Sequence, residues 1–245
     1  MGVSLNLSTS AEVSLAIDHA TEENLIRIAT ANPEFILDAR EYPDFCTALA
    51  NMSHVTIDGT GLFIALSLFS KQRPELYHGS DMVTDLLRTY QKGEKKFYFI
   101  GDKPGVAQTA AETIQKMYPE ISIVGAEDGG WIDKNNVKVD PELTERILSA
   151  DTDILLVGYG APKQELWIHA TSRLPIPVMI GVGGSFGFFG TKKRAPTFIK
   201  VTHLEWLYRA ITEKGHWKRS FRAFAVFAPF SFLYWLCSPL RKKTT

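Results

Sequence analysis

Ile154-Leu155-Leu156-Val157-Gly158-Tyr159-Gly160-Ala161-Pro162-Lys163 is the stretch on which the fold turns. Four consecutive apolar residues show no polar alternation, so both faces of the strand they form must be covered, as in the interior of a parallel sheet. The run breaks at a glycine turn and passes into a helical pattern over 162–173, opening on Pro162, a residue suited to a first helical position. The same unit recurs outward from here. Residues 96–100 (KFYFI), 121–124 and 177–182 (PVMIGV) read as further buried strands, with 26–30 and 55–57 upstream. Helical patterns occupy 81–91, 104–117 and Pro141–Ser149, two of which also open on proline. The β-α-β-α rhythm predicts an α/β, Rossmann-like fold: a mostly parallel sheet flanked by helices.

Three of the strands end in glycine turns: Gly101-Asp102-Lys103-Pro104-Gly105, Gly158-Tyr159-Gly160-Ala161 and Gly181-Val182-Gly183-Gly184-Ser185. In an open α/β sheet, ligands bind at the carboxyl ends of the strands. Glycine there lets backbone approach a phosphate, and the following helix N-terminus adds N–H donors. Each turn taken alone reads equally as plain tight-turn chemistry. None matches the dinucleotide G-x-G-x-x-G or the P-loop pattern, so a nucleotide site is indicated without a standard Rossmann or P-loop cofactor.

Composition narrows the class. The 245 residues fit one domain, or one domain with an appendage. Hydrophobic residues at 45% and charged residues at 22% argue against disorder, a collagen and a polytopic membrane protein. Two cysteines, Cys46 and Cys237, argue against a disulfide scaffold or a Cys-based zinc site and point to a reducing compartment. The first twenty residues lack the basic start and long apolar core of a secretory signal, and Asn6 stands where a myristoylation start needs Ser or Thr. The zero net charge hides a split: from residue 190 onward twelve Lys/Arg face two acids, so a tail at +10 follows a body at −10. Such a tail suits an anionic partner.

The chain therefore divides into an α/β catalytic domain, 1–189, and a basic, aromatic, helical appendage, 190–245. A helix is expected over 196–213. Residues 223–240 carry no charge but six aromatics, are interrupted by Pro229 and Pro239, and end on Arg241-Lys242-Lys243. As a helix they span about 27 Å, slightly short of a bilayer core of about 30 Å. The favoured reading is a segment lying in the membrane interface on basic anchors; a spanning helix and burial as ordinary core are the alternatives.

Asp58, in Val55-Thr56-Ile57-Asp58-Gly59-Thr60-Gly61, follows a buried strand directly. A carboxylate at the ligand end of the sheet suits a general base, while an Asx turn or a cap on the next helix is the bland alternative. Thr30 and Asn32 end the first strand and reach the same mouth, unless they serve only the Asn32-Pro33 turn. Lys163 and Gln164, opening a helix after a glycine loop, suit phosphate or sugar hydroxyls; Glu165 beside them suits the helix dipole. Asp151-Thr152-Asp153 spells the D-x-D of metal-dependent sugar transferases but precedes its strand, at the end opposite the glycine loops, and reads as a cap on the strand's start. The six histidines show no H-x-x-x-H spacing and read as surface or satisfied residues; no metal site and no G-x-S-x-G elbow is present.

Together these motifs resemble the WecG/TagA/CpsF glycosyltransferases (glycosyltransferase family 26) over roughly residues 24–222. The most specific matches are Gly160-Ala161-Pro162-Lys163-Gln164-Glu165, Gly181-Val182-Gly183-Gly184-Ser185-Phe186, Arg194-Ala195-Pro196 and Leu204-Glu205-Trp206-Leu207-Tyr208-Arg209. Thr30-x-Asn32-Pro33, Asp58-Gly59-x-Gly61, Gly79-Ser80-Asp81 and Phe99-Ile100-Gly101 support them in order and spacing. The resemblance implies a metal-independent, inverting hexosyltransferase, with no cofactor, peripheral on the cytoplasmic face of the membrane. It implies transfer of a sugar, such as N-acetylmannosamine, from a UDP donor to a polyprenyl-diphosphate-linked N-acetylglucosamine, for teichoic acid or other surface polysaccharide. It makes Asp58 the general base, with Thr30 and Asn32 as its pocket neighbours and Gln164 a sugar or nucleotide contact. Lys163 and the loop glycines Gly101, Gly160, Gly183 and Gly184 would line the donor site. Arg194, Arg209, Arg219 and Arg222 would bind the diphosphates, an arginine fork stabilising leaving-group charge without a metal.

Three features depart from the family. Phe186-Gly187-Phe188 stands where Phe-Asp-Phe is usual, Glu213-Lys214-Gly215-His216 where Glu-Pro-x-Arg is usual, and residues 125–131 (GAEDGGW) carry two acids. Two other readings follow: a nucleotide-binding oxidoreductase, disfavoured by the glycine spacing, and a catalytically impaired membrane adaptor, motivated by Gly187. The blocky aromatic run argues against nucleic acid. A homo-oligomer is left open.

Overall fold

A computed structural model of the chain describes residues 3–69, 74–189, 227 and 229. Six parallel strands form one sheet: β1 (Ile26–Ala31), β2 (His54–Ile57), β3 (Lys96–Gly101), β4 (Ser122–Glu127), β5 (Ile154–Gly158) and β6 (Val178–Gly181), in the order β2-β1-β6-β5-β3-β4. All six expected strands are present, with ends shifted by a few residues. The continuous apolar run of β5 has the expected cause. Ile154 and Leu156 enter the core on one face of the sheet, Leu155 and Val157 the core on the other, and all four are fully buried. A strand alternates its side chains between faces, so only a two-sided core demands apolar residues at every position.

One face is covered by α2 (Pro33–Glu41), α3 (Pro43–Ala50), α4 (Thr60–Phe69), α7 (Pro141–Ser149) and α8 (Lys163–Ala170). The other carries α1 (Ser10–Asp18), α5 (Gly79–Thr89), α6 (Val106–Met117) and a short 3-10 helix, Gly183–Phe189. Helix starts follow local chemistry. Thr9 and Glu12 form a capping box for α1, Asn32 caps α2 with Pro33 in its first turn, and Asp140 caps α7 with Pro141 in its first turn. The proline readings need correcting in two places. Pro104 lies in the turn before α6, where left-handed Gly105 is the N-cap, and Pro162 is the N-cap of α8, joined to Ala161 by a cis peptide.

Asp151-Thr152-Asp153 caps the start of the neighbouring strand rather than of its own: Asp153 accepts the Lys96 amide at the start of β3, and the buried Thr152 hydroxyl donates to the Ile147 carbonyl. The helix over 196–213, Arg194, Arg209, Arg219, Arg222 and nearly all of 223–240 lie outside the described residues. From the last run, Phe227 is buried in the core cluster that holds Ile57 and Trp167, and Pro229 is exposed. Among the described residues no helix is long and apolar enough to cross a membrane.

Candidate active site at the carboxyl ends of the strands

Parallel pairing sets Thr30 beside Thr56 and Ala31 beside Ile57, so Asn32 and Asp58 leave the sheet as neighbours. The Asp58 amide continues the ladder by donating to the Ala31 carbonyl at 2.8 Å. Gly59 has no room for a side chain: a Cβ there would lie 2.6 Å from Pro33 Cδ and 3.1 Å from Asn32 Cβ. The structure thus places Asp58, Thr30 and Asn32 at neighbouring strand ends.

Their side chains have definite partners. The Thr30 hydroxyl, buried, donates to the Gly181 carbonyl at 3.0 Å and ties β1 to β6. Asn32 Oδ1 accepts the Glu34 amide at 2.9 Å, the cap of α2. Asp58 does not cap the next helix in sequence. Its Oδ1 accepts the Gly79 amide at 3.1 Å, the first residue of α5, and lies 3.1 Å from His78 Nδ1. The same ring nitrogen is 2.7 Å from the Asp58 carbonyl oxygen. The Asp58 side chain keeps 30% of its surface exposed, so solutes reach the carboxylate.

The glycine turns meet a few residues away. Gln164 is buried, and its Oε1 accepts both the Gly160 amide (3.1 Å) and the Gly183 amide (2.9 Å), stitching the β5 and β6 loops together. Its Nε2 donates to Glu165 Oε1 at 2.6 Å. Glu165 is completely buried, and its Oε2 has no partner among the described residues; burial pushes its carboxyl up to about 7. Gly181 makes room for the pair, since a Cβ would lie 2.7 Å from Gln164 Nε2 and 2.8 Å from Glu165 Oε1. Gly101, at φ +106°, packs on the β5 turn so closely that a Cβ would meet the Gly158 carbonyl carbon at 2.6 Å.

Gly79 packs on Thr30, where a Cβ would lie 3.3 Å from Cγ2 and Oγ1, so a row of neighbours crosses the strand ends from Asp58 through Gly79, Thr30 and Gly181 to Gln164 and the two glycine loops. Gly183 and Gly184 open the 3-10 helix at the end of β6. Lys163 lines an open cleft of ≈ 530 Å³ with Ala161 and Pro162 of the β5 turn and with Glu34, Asp38, Glu41, Tyr42 and Lys134 on the α2 side. Gly187 is buried inside the 3-10 helix, whose Phe186 stacks on Phe99 with ring centroids 5.1 Å apart. Among the described residues no cluster of three or more His, Cys, Asp or Glu is arranged to hold a metal.

Sequence reasoning missed two residues. His78 reads as an ordinary histidine because its partner lies 20 positions away; its place just before Gly79-Ser80-Asp81 was the available signal. Glu165 reads as a first-turn helix acid, whereas the structure buries it against Gln164 and Gly181.

The chain is similar in sequence to known proteins. The family model "Glycosyl transferase WecG/TagA/CpsF family" matches residues 1–241. The chain is 34% identical over 194 residues to the N-acetylglucosaminyldiphosphoundecaprenol N-acetyl-beta-D-mannosaminyltransferase of Bacillus spizizenii, covering 78% of this chain and 73% of that protein. Its namesake from Bacillus subtilis has the same identity and coverage. That of Staphylococcus aureus is 32% identical over 198 residues, covering 80% and 74%.

Proposed function

The chain belongs to the WecG/TagA/CpsF glycosyl transferase family, and from that premise we propose that it moves an N-acetylmannosamine-type hexose from a UDP-sugar to a polyprenyl-diphosphate-linked N-acetylglucosamine. The names of its relatives support this choice of sugar and acceptor. The observation that carries the reading is the Asp58 carboxylate, partly exposed beside Asn32 at the sheet's ligand end, with one oxygen held by the amide that begins α5.

In this reading Asp58 accepts the proton of the attacking acceptor hydroxyl as the new glycosidic bond forms and the bond to UDP breaks. Gln164 holds the β5 and β6 turns in the form that presents Gly160, Gly183 and Gly184 to the donor. Thr30 fixes β1 against β6, so its contribution is to the shape of the pocket, and Lys163 would meet the donor from the cleft between the β5 turn and α2. Arg194, Arg209, Arg219 and Arg222 are proposed, from the family resemblance, to neutralise charge on the departing UDP and the acceptor diphosphate. The basic appendage, 190–245, would bring the domain to an anionic membrane surface on the cytoplasmic side.

The test is UDP release from a panel of UDP-sugars with EDTA present, with and without a short-chain polyprenyl-diphosphate N-acetylglucosamine. The expected result is acceptor-dependent release that survives EDTA and drops by about 10²–10⁴-fold in Asp58→Asn, the range for loss of a general base. A native, folded chain that releases no UDP from any donor refutes the proposal and favours the adaptor reading.

A further inference from the structure

We propose that His78 is the positioning residue of the transfer site: its Nδ1–H and the Gly79 amide together clamp Asp58 Oδ1, leaving Oδ2 as the oxygen that takes the acceptor proton. This rests on the reading of Asp58 as the base.

The tautomer follows from chemistry. His78 Nδ1 lies 2.7 Å from the Asp58 backbone oxygen and 3.1 Å from Oδ1. A carbonyl oxygen and a carboxylate oxygen only accept, so the nitrogen between them must carry the hydrogen. Gly79 supplies a second donor to the same Oδ1 at 3.1 Å, at the positive end of the eleven-residue α5. Both donors converge on one oxygen, which fixes the rotation of the carboxylate.

The placement of His78 is built into the backbone. Leu76 bridges to Ile57, and the Tyr77 amide donates to the Ile57 carbonyl at 2.9 Å, so 76–78 runs alongside the end of β2. His78 is then the N-cap residue of α5, yet its side chain makes no capping bond to its own helix. The roles are exchanged across the site: distant Asp58 caps α5, and the N-cap residue holds Asp58. A histidine serving only its helix would have no reason to point at the carboxylate.

Two readouts on the full chain test the proposal. The first needs no turnover. Long-range proton–nitrogen NMR of 15N-histidine-labelled protein, at about pH 8 where an ordinary imidazole is neutral, reports the tautomer of His78, assigned by the signal lost in His78→Asn. The Nδ1–H form is expected. The second is kinetic. His78→Asn places an amide N–H where Nδ1 was; His78→Gln places it where Nε2 was; His78→Phe keeps the ring and no donor. The Gln and Phe variants should lose kcat by about 10- to 100-fold with KM changed less than about two-fold, and Asn should recover most of that loss.

An Nε2–H tautomer, or equal kcat in the Asn and Phe variants when both melt as the native chain does, overturns the clamp. A native chain that turns over no donor while showing the Nδ1–H tautomer refutes the transfer reading instead and removes the catalytic role with it, leaving the clamp as geometry alone.

Discussion

Replacing Glu165 by Gln exchanges a buried titrating group for a neutral one of nearly the same shape, and the effect on stability depends on pH. Burial raises the Glu165 carboxyl from the usual 4.5 to about 7. Between those values the unfolded chain has released the proton and the folded chain still holds it, so unfolding gains from each step up in pH. The Glu165 contribution to stability therefore falls as pH rises from about 4.5 to about 7 and is level above. A difference of about 2.5 units corresponds to about 3 kcal/mol. Gln at this position keeps an acceptor for Gln164 Nε2 and leaves amide hydrogens in a pocket that offers Oε2 no partner. That cost of about 1–3 kcal/mol does not vary with pH. The variant is thus expected to be the less stable protein near pH 4.5 and to gain on the native chain by about 3 kcal/mol by pH 8. Urea unfolding of both proteins across that range measures the gap. Parallel stability–pH curves would refute the assignment of Glu165 as a protonated acid in the folded state.

Other substitutions separate scaffold from site. Arg27 is buried, and its guanidinium donates to the carbonyls of Ile26, Ile176, Ser172 and Leu174 at 2.9–3.1 Å. Arg27→Met strands those carbonyls and should cost about 1–3 kcal/mol in urea unfolding, with KM for the donor unchanged in the folded fraction, because Arg27 lies towards the opposite end of β1 from Asn32. Gln164→Leu strands the Gly160 and Gly183 amides; an unfolding free energy lower by about 2–4 kcal/mol is expected, together with a raised KM for the UDP-sugar. A Gln164→Leu chain with native stability and native KM would show that the stitch between the loops is dispensable.

The strands were legible because a two-sided core writes itself as unbroken apolar runs, as in 96–100 and 154–157. The helices of the first third were not. The α4 stretch, TGLFIALSLF, is apolar all round and shows no 3.6-residue stripe. α2 and α3 are short and separated only by Tyr42, with Pro43 beginning the second. The proximity of Asp58, Thr30 and Asn32 was legible because each lies within a residue of a strand's end, and parallel register does the rest. The roles of Gln164 and Glu165 were not: adjacent residues opening a helix give no hint that both turn inward under Gly181. His78 depends on a segment laid against β2 from 20 residues away, a placement carried by backbone pairing and by no motif.

The strand order also bears on how the protein is made. β6 is the final described strand in the chain yet an inner member of the sheet, between β1 and β5. On the ribosome, β1 can join β2 early, but its other edge waits for residues more than a hundred positions downstream; Arg27 and its partner Ile176 are 149 apart. At roughly 5–20 residues per second that interval is on the order of ten seconds. Through it the nascent chain holds an open, apolar strand edge, a natural grip for a chaperone, and the closing of the sheet falls to the moment β6 emerges.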